Sequence, residues 1–218
     1  MKRLFLFFAA QIFMQHLQAQ HFALGNDKFN IAYIGLDNPI SIAVENCPCN
    51  SIVLKVNNGT ITGKDCKFIY RGIEPGFANL TVYKKSGDNL KKVGQYGFRV
   101  KRIPPPVFKI GPYGISYFYA DRKANKSVLT SQQFVRAELE GFDYDAKMLI
   151  DSFSVKIFNV DSAITNTYFN ISNKISQQII NAFSKLKTGD VIFFHKIFAK
   201  GPEGLQWELD PLILTIDK

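Results

Sequence analysis

The stretch Cys66-Lys67-Phe68-Ile69-Tyr70, then Pro75-Gly76, then Ala78-Asn79-Leu80-Thr81-Val82-Tyr83 decides the fold class. Cys66, Phe68 and Tyr70 alternate with Lys67 and Ile69, and Ala78, Leu80 and Val82 alternate with Asn79, Thr81 and Tyr83. Side chains on a strand point to opposite faces at period two, so each run presents one apolar face. Pro-Gly between them is a turn signal. Outward from this pair the pattern repeats. Ile40, Ile42 and Val44 alternate with Ser41 and Ala43, after the punctuation of Asp37-Asn38-Pro39. Ile52, Leu54 and Val56 precede Asn57-Asn58-Gly59, while Gly87-Asp88 precedes Tyr96, Phe98 and Val100. Short alternating runs with regular turns predict an antiparallel sandwich whose two sheets bury their apolar faces together.

The cysteines fall inside this region. Cys47, Cys49 and Cys66 are the only three in the chain. An oxidising compartment favours a disulfide, and three thiols leave one over. Cys47-Pro48-Cys49 is too short to close on itself easily, so one of the two is expected to reach Cys66. Read as a hairpin, a two-residue turn at Asn57-Asn58 puts Cys49 opposite Cys66, whereas a turn at Asn58-Gly59 puts Ser51 there. Cys49–Cys66 is the preferred pair and Cys47–Cys66 the alternative. Zinc is not expected, because no histidine lies near the three thiols in sequence.

Lys101-Arg102-Ile103-Pro104-Pro105-Pro106 ends the first set of strands. Three prolines remove three amide donors and favour extended geometry, so 104–106 reads as a short stiff connector. The expected organisation is a module over 20–103, the connector, and a second module over 107–218. In the second, Thr130 or Ser131 is expected to cap a short helical turn ahead of Phe134 and Val135. Met148, Ile150 and 153–158 read as strands. The one convincing helix runs over 171–187, with Ser172 or Asn173 at its start and Ile175, Ile179, Ile180, Phe183 and Leu186 forming one apolar stripe. Strands over 191–200, 205–209 and 212–216 close the chain, joined by Gly201-Pro202-Glu203-Gly204 and Asp210-Pro211. The fold class is mainly β: two consecutive Ig-like antiparallel β-sandwich modules, the second carrying one α-helix.

Composition narrows the function. Of 218 residues, 46% are hydrophobic and 14% aromatic, which excludes disorder. The formal net charge is +9, or +7 once the two charges of Lys2 and Arg3 are removed. The basic residues form no single run, so they read as a solvated surface, and nucleic acid is not an expected partner. Catalytic equipment is thin. Beyond the N-terminal segment there are two histidines, His21 and His195, no Gly-x-Ser-x-Gly elbow and no phosphate-cradling loop. Asp143 and Asp145 alternate with Phe142 and Tyr144, which reads as a strand with aromatics inside and carboxylates outside rather than as a cation site. No catalytic, cofactor-binding or metal-binding residue is assigned, and the chain is not expected to be an enzyme.

At the N-terminus, Lys2 and Arg3 precede an apolar run from Leu4 to Met14 broken only by Gln11, and Ala19 offers a small residue before a cut. This is a secretory signal over 1–19, too short for a bilayer span of roughly 20 residues. The expected location is the periplasm or the exterior, with no transmembrane segment in the mature chain.

Several segments together resemble the C-terminal periplasmic domains of the GldM/PorM family of Bacteroidota gliding motility and type IX secretion. They are Tyr33-Ile34-Gly35-Leu36-Asp37-Asn38-Pro39-Ile40, Phe98-Arg99-Val100-Lys101-Arg102-Ile103-Pro104 and Phe142-Asp143-Tyr144-Asp145. Leu186-Lys187-Thr188-Gly189-Asp190, Ala199-Lys200-Gly201-Pro202-Glu203-Gly204 and Leu209-Asp210-Pro211 continue the match in the family's order. The resemblance implies two β-sandwich modules in an elongated, usually dimeric periplasmic arm that reaches GldK/GldN-type partners at the outer membrane. The family's N-terminal transmembrane helix and helical portion couple it to an inner-membrane motor. Here a signal peptide stands in their place, so the expectation is a stand-alone distal arm that docks without pulling. Expected contacts are Asp37, Asn38 and Pro39, and Lys200, Gly201, Pro202 and Gly204 on the closing hairpin. The alternative is an independent ligand- or glycan-binding module using Tyr113, Tyr117 and Tyr119 as platforms; their plainer role is sheet packing.

Overall fold

The computed structural model describes residues 22–26, 30–114 and 122–217. The signal segment over 1–19, with Tyr117 and Tyr119, lies outside the described residues. The chain divides into two compact units between Arg102 and Ile103. It is mainly β, built of antiparallel sheets with two short α-helices.

The first unit is a sandwich of two four-stranded sheets. One sheet has the order β1 (Phe22–Asn26), β3 (Asn38–Val44), β6 (Lys67–Arg71), β5 (Thr60–Lys64). The other has the order β2 (Ile31–Tyr33), β8 (Asn89–Lys101), β7 (Gly76–Ser86), β4 (Ile52–Val56). All pairings are antiparallel except β2 with β8. Strands three to eight therefore occupy the B, C, D, E, F and G places of an immunoglobulin sandwich, and the first strand splits between the two sheets. Period-two alternation does the packing. Ile40, Ile42, Phe68 and Tyr70 of one sheet and Leu54, Ala78, Leu80, Val82, Phe98 and Val100 of the other form one buried cluster. The Tyr70 and Phe98 rings stack with centroids 5.7 Å apart.

The expected hairpin around Asn57-Asn58-Gly59 does not form. β4 and β5 pair with β7 and β6, so residues 57–59 carry the chain from one sheet to the other. Gly59 is required for this crossing: its φ is +109°, and a Cβ would sit 2.1 Å from the Arg71 carbonyl oxygen. The Tyr70 hydroxyl donates to the Asn58 carbonyl from beneath. Burial pushes that phenol up to about 12, so it stays a neutral donor. Cys66 is likewise displaced from its expected strand. Asp65 and Cys66, at φ +54° and +64°, form the two-residue turn between β5 and β6, the paired left-handed geometry of a type I′ hairpin. Cys49 opens a single 3-10 turn, Cys49–Ser51, just before β4. The structure contains the Cys49–Cys66 disulfide, with Cα atoms 5.0 Å apart, and Cys47 is a free thiol. The bridge thus staples one sheet to the other instead of closing a hairpin.

The second unit also has two sheets. Three strands pair in the order β10 (Tyr113–Gly114), β9 (Val107–Ile110), β12 (Val135–Glu138). The larger sheet runs β11 (Lys123–Ala124), β17 (Leu212–Ile216), β15 (Val191–Lys200), β13 (Leu149–Phe158), β14 (Thr165–Ile171). β16 (Gln206–Leu209) pairs with the second half of β15 while β17 pairs with the first, and Asp210-Pro211 separates the two. Helix α1 spans Lys126–Thr130 and α2 spans Gln177–Ser184. Phe108, Phe153, Phe183 and Phe194 lie at the centre of the core, with ring centroids 5.3–6.3 Å apart.

Three expectations change here. The helix is shorter than 171–187. Residues up to Ile171 belong to β14, Ser172 turns with φ +71°, and Ser176 is the N-cap. Ile171, expected as the first residue of the helix, is 75% exposed. The first short helix ends rather than begins near Thr130; its cap is Asn125, whose side chain accepts from Ser127 N–H. Residues 142–145 keep the expected alternation, with half-buried Phe142 and Tyr144 and exposed Asp143 and Asp145, but they form no strand. The two rings pack on each other at 5.5 Å.

Candidate functional site

Among the described residues, no three His, Cys, Asp or Glu side chains converge as metal ligands. His195 lies on β15 with its ring stacked on Phe193 at 5.0 Å. Desolvation, then Lys156 and Lys196, push its pKa down, so it is a neutral packing residue at neutral pH.

Asp190 is also perturbed, and its role is structural. Only 2% exposed, its carboxylate accepts from the N–H groups of Lys187 (2.9 Å) and Val160 (2.9 Å) and from Asn159 Nδ2 (3.0 Å). Burial raises its pKa, but the three donors together outweigh burial and leave it below the usual aspartate value. An aspartate so held stabilises the fold above its unfolded pKa of ~3.9 and loses that contribution as pH falls through the folded value. Asp190→Asn is therefore expected to flatten the acid limb of the second module's stability between about pH 5 and pH 2. Urea titrations at a series of pH values measure this; an unchanged acid limb rules it out.

The expected contact residues separate on inspection. Asp37 is exposed and ion-pairs with Arg71 (2.6 Å). Asn38 is not a surface contact: it is 1% exposed, and its amide donates to the carbonyls of Tyr33, Leu36 and Tyr70 while accepting from Tyr33 N–H. Its role is to lock the turn before β3 onto β6. Pro39 is half-buried within β3. Lys200, Pro202 and Gly204 are exposed on the β15–β16 turn, which closes through Gly204 N–H to the Gly201 carbonyl (3.0 Å). Gly201 lies against Met148, whose sulfur would be 3.1 Å from any Cβ there. Tyr113 is half-buried and its hydroxyl accepts from Asn125 N–H, so it packs rather than presents a platform.

Among the described residues, a group of exposed apolar side chains lies apart from those residues. Of eleven exposed large hydrophobics among the described residues, six belong to β13, β14 and their connection: Leu149, Phe158, Val160, Ile164, Phe169 and Ile171. Register explains the placement. Phe153, Val155 and Ile157 of β13 face the core, opposite Asn170, Tyr168 and Asn166 of β14. The alternate positions, Phe169 and Ile171 with Ser154 and Ser152 opposite, face away from it. β14 is the last strand of its sheet. At its end a groove of about 730 Å³ opens, lined by Phe169, Ile171, Lys174, Ile175, Gln177 and Ile180 among others. Asn170 shapes it: 3% exposed, it donates to the carbonyls of Ile171, Ser172 and Lys174 and accepts from Ser176 N–H. The period-two run Thr165, Thr167, Phe169, Ile171 was the signal available in the sequence for this strand.

The GldM third-domain family model matches residues 23–101, and the GldM C-terminal domain model matches residues 104–217. No curated protein matches the chain. Among solved structures, the Yersinia pseudotuberculosis adhesin InvE is similar over 92% of this chain and 59% of its own, at 13% identity and a TM-score of 0.30. SGBP-B of the Bacteroides ovatus mixed-linkage glucan utilisation locus, solved with a mixed-linkage heptasaccharide, is similar over 84% of this chain and 50% of its own, at 11% identity and a TM-score of 0.24. The chain thus spans about half of either structure, and neither likeness bears on what it binds.

Proposed function

The chain belongs to the GldM family, and we propose that it is a non-enzymatic docking component of the cell envelope, working in the periplasm by contact with partner proteins. Domains of this family are structural components of secretion and gliding-motility machinery. The observation that carries the proposal is the tandem match, third domain then C-terminal domain, over nearly all of 23–217. The proposed partners are GldK/GldN-type proteins associated with the outer membrane, with a homodimer as the proposed assembly. The signal read over 1–19 would deliver the chain to them, and among the described residues no helix is long and apolar enough to cross a membrane. Asp37 and the Lys200–Gly204 turn are proposed contacts because Asp37, Lys200, Pro202 and Gly204 are exposed.

Crosslinking in native envelopes followed by affinity purification tests this reading. Recovery of secretion or motility components with the full chain is expected. Recovery of the chain alone, or with glycan and no protein, would overturn it.

A further inference from the structure

Resting on the contact role just proposed, we infer that β14 is an open docking edge: it takes an extended segment of a partner protein as an added strand. The segment has apolar side chains at every second position and a carboxylate at one end.

The backbone supplies the first part of the argument. Ser172 N–H donates to the Asp151 carbonyl (2.6 Å), and Asn159 N–H donates to the Ile164 carbonyl (3.0 Å). With the β13–β14 register between them, the even-numbered residues of β14 exchange hydrogen bonds with β13. Thr165, Thr167, Phe169 and Ile171 therefore direct their N–H groups to the open side. Natural edges are guarded by lysine, proline, bulges or brevity. β4 and β5 carry Lys55 and Lys64, and β12 carries Arg136 and Glu138. β14, Thr-Asn-Thr-Tyr-Phe-Asn-Ile, is seven residues long with no charge and no proline. Phe169 and Ile171 stand beside this edge at 64% and 75% exposure. Main-chain bonds with pockets for alternate side chains are the features that strand addition uses.

Charge selects the occupant. The groove at the end of β14 is lined by Lys174 and no carboxylate. Lys156 stands opposite Thr167, and the neighbouring strand contributes Lys196. Asp151 lies on β13 opposite Ser172, one residue past the end of β14, and is not among the groove-lining residues; Asp161 is already ion-paired to Lys187. A second copy would bring another set of the same lysines to this edge, on a chain whose net charge is +7 once Lys2 and Arg3 are removed. An acidic-ended partner strand meets no such opposition.

The probe is a fluorescent octapeptide of alternating valine and threonine ending in aspartate, titrated against the purified full chain. Saturable binding is expected. Methylating every second amide nitrogen of the peptide, on its pairing side, is expected to abolish it. Phe169→Lys and Thr167→Pro are each expected to weaken it about tenfold or more, with Phe77→Lys, an exposed aromatic of the other module, as the unaffected control. No binding by the unaltered chain, or equal binding of the methylated peptide, overturns the inference. So does a dimer in sedimentation that Phe169→Lys dissolves, since the occupant is then a second copy. Failure here remains distinct from failure of the contact role: envelope partners still captured by the Phe169→Lys chain leave that role standing and remove the edge from it.

Discussion

Replacing Asn170 with alanine is expected to lower the stability of the second module by about 3 kcal/mol. The side chain is buried, and its four hydrogen bonds all go to backbone groups between Ile171 and Ser176. Each such bond contributes roughly 1 kcal/mol net, and a buried polar group left without a partner costs roughly 1–3 kcal/mol more. The segment also contains Ser172 in the left-handed region, a conformation that persists only where neighbours fix it. Part of the loss is recoverable, because truncation opens space for water near the groove, and this keeps the estimate below the sum of four bonds. Asn170→Asp is expected to be at least as damaging: it keeps an acceptor for Ser176 N–H but aims a carboxylate at three carbonyls. Trp207, the single tryptophan, packs against the second module's core, so its fluorescence during urea unfolding reports that module. A lower midpoint at unchanged slope is the expected result. A loss under about 1 kcal/mol for both variants would show that the β14–α2 junction holds itself without Asn170.

That junction also shows where sequence reading stopped. Ile175 stands at helical spacing from Ile179, so the stripe extended backwards to it and the expected helix began at Ile171. Ile171 is instead on the outer face of β14, and Ile175 is buried in a turn whose N–H donates to the Gln133 carbonyl. Spacing alone could not tell these apart, because the deciding contacts come from Asn170 and from a segment forty residues away. The strands were legible for the opposite reason. β3, β4, β6 and β7 each carry a clean period-two pattern that burial reproduces. Which sheet each joins was not legible. Asn57-Asn58-Gly59 has hairpin chemistry, yet it crosses between sheets, since strand partners are chosen by distant apolar faces rather than by the turn. Asn38, Asn170 and Asp190 were unreadable as organisers because each serves main-chain groups of other elements.

The Cys49–Cys66 pair illustrates the difference between a correct pairing and its cause. The hairpin register that favoured it does not exist; the bridge forms because the turn before β4 and the β5–β6 turn meet at one end of the sandwich. A staple between sheets restrains the unfolded chain as a hairpin bridge of equal span would, because the entropy term depends on the 17-residue separation and not on the native topology. Breaking it is expected to cost the first module about 3 kcal/mol. Cys66→Ser is the informative variant. Cys49→Ser leaves Cys47, a free thiol two residues away, able to take over the bond to Cys66. Cys66→Gly would relax the left-handed turn at φ +64° and offset part of the loss. Hydrogen exchange resolved by peptide, with and without reductant, checks the prediction: protection over β3–β8 should fall in Cys66→Ser to the level of the reduced chain. Equal protection in the oxidised and reduced proteins would mean that Ile40, Phe68, Leu80 and Phe98 hold the two sheets together unaided, and that the bridge contributes little to the fold.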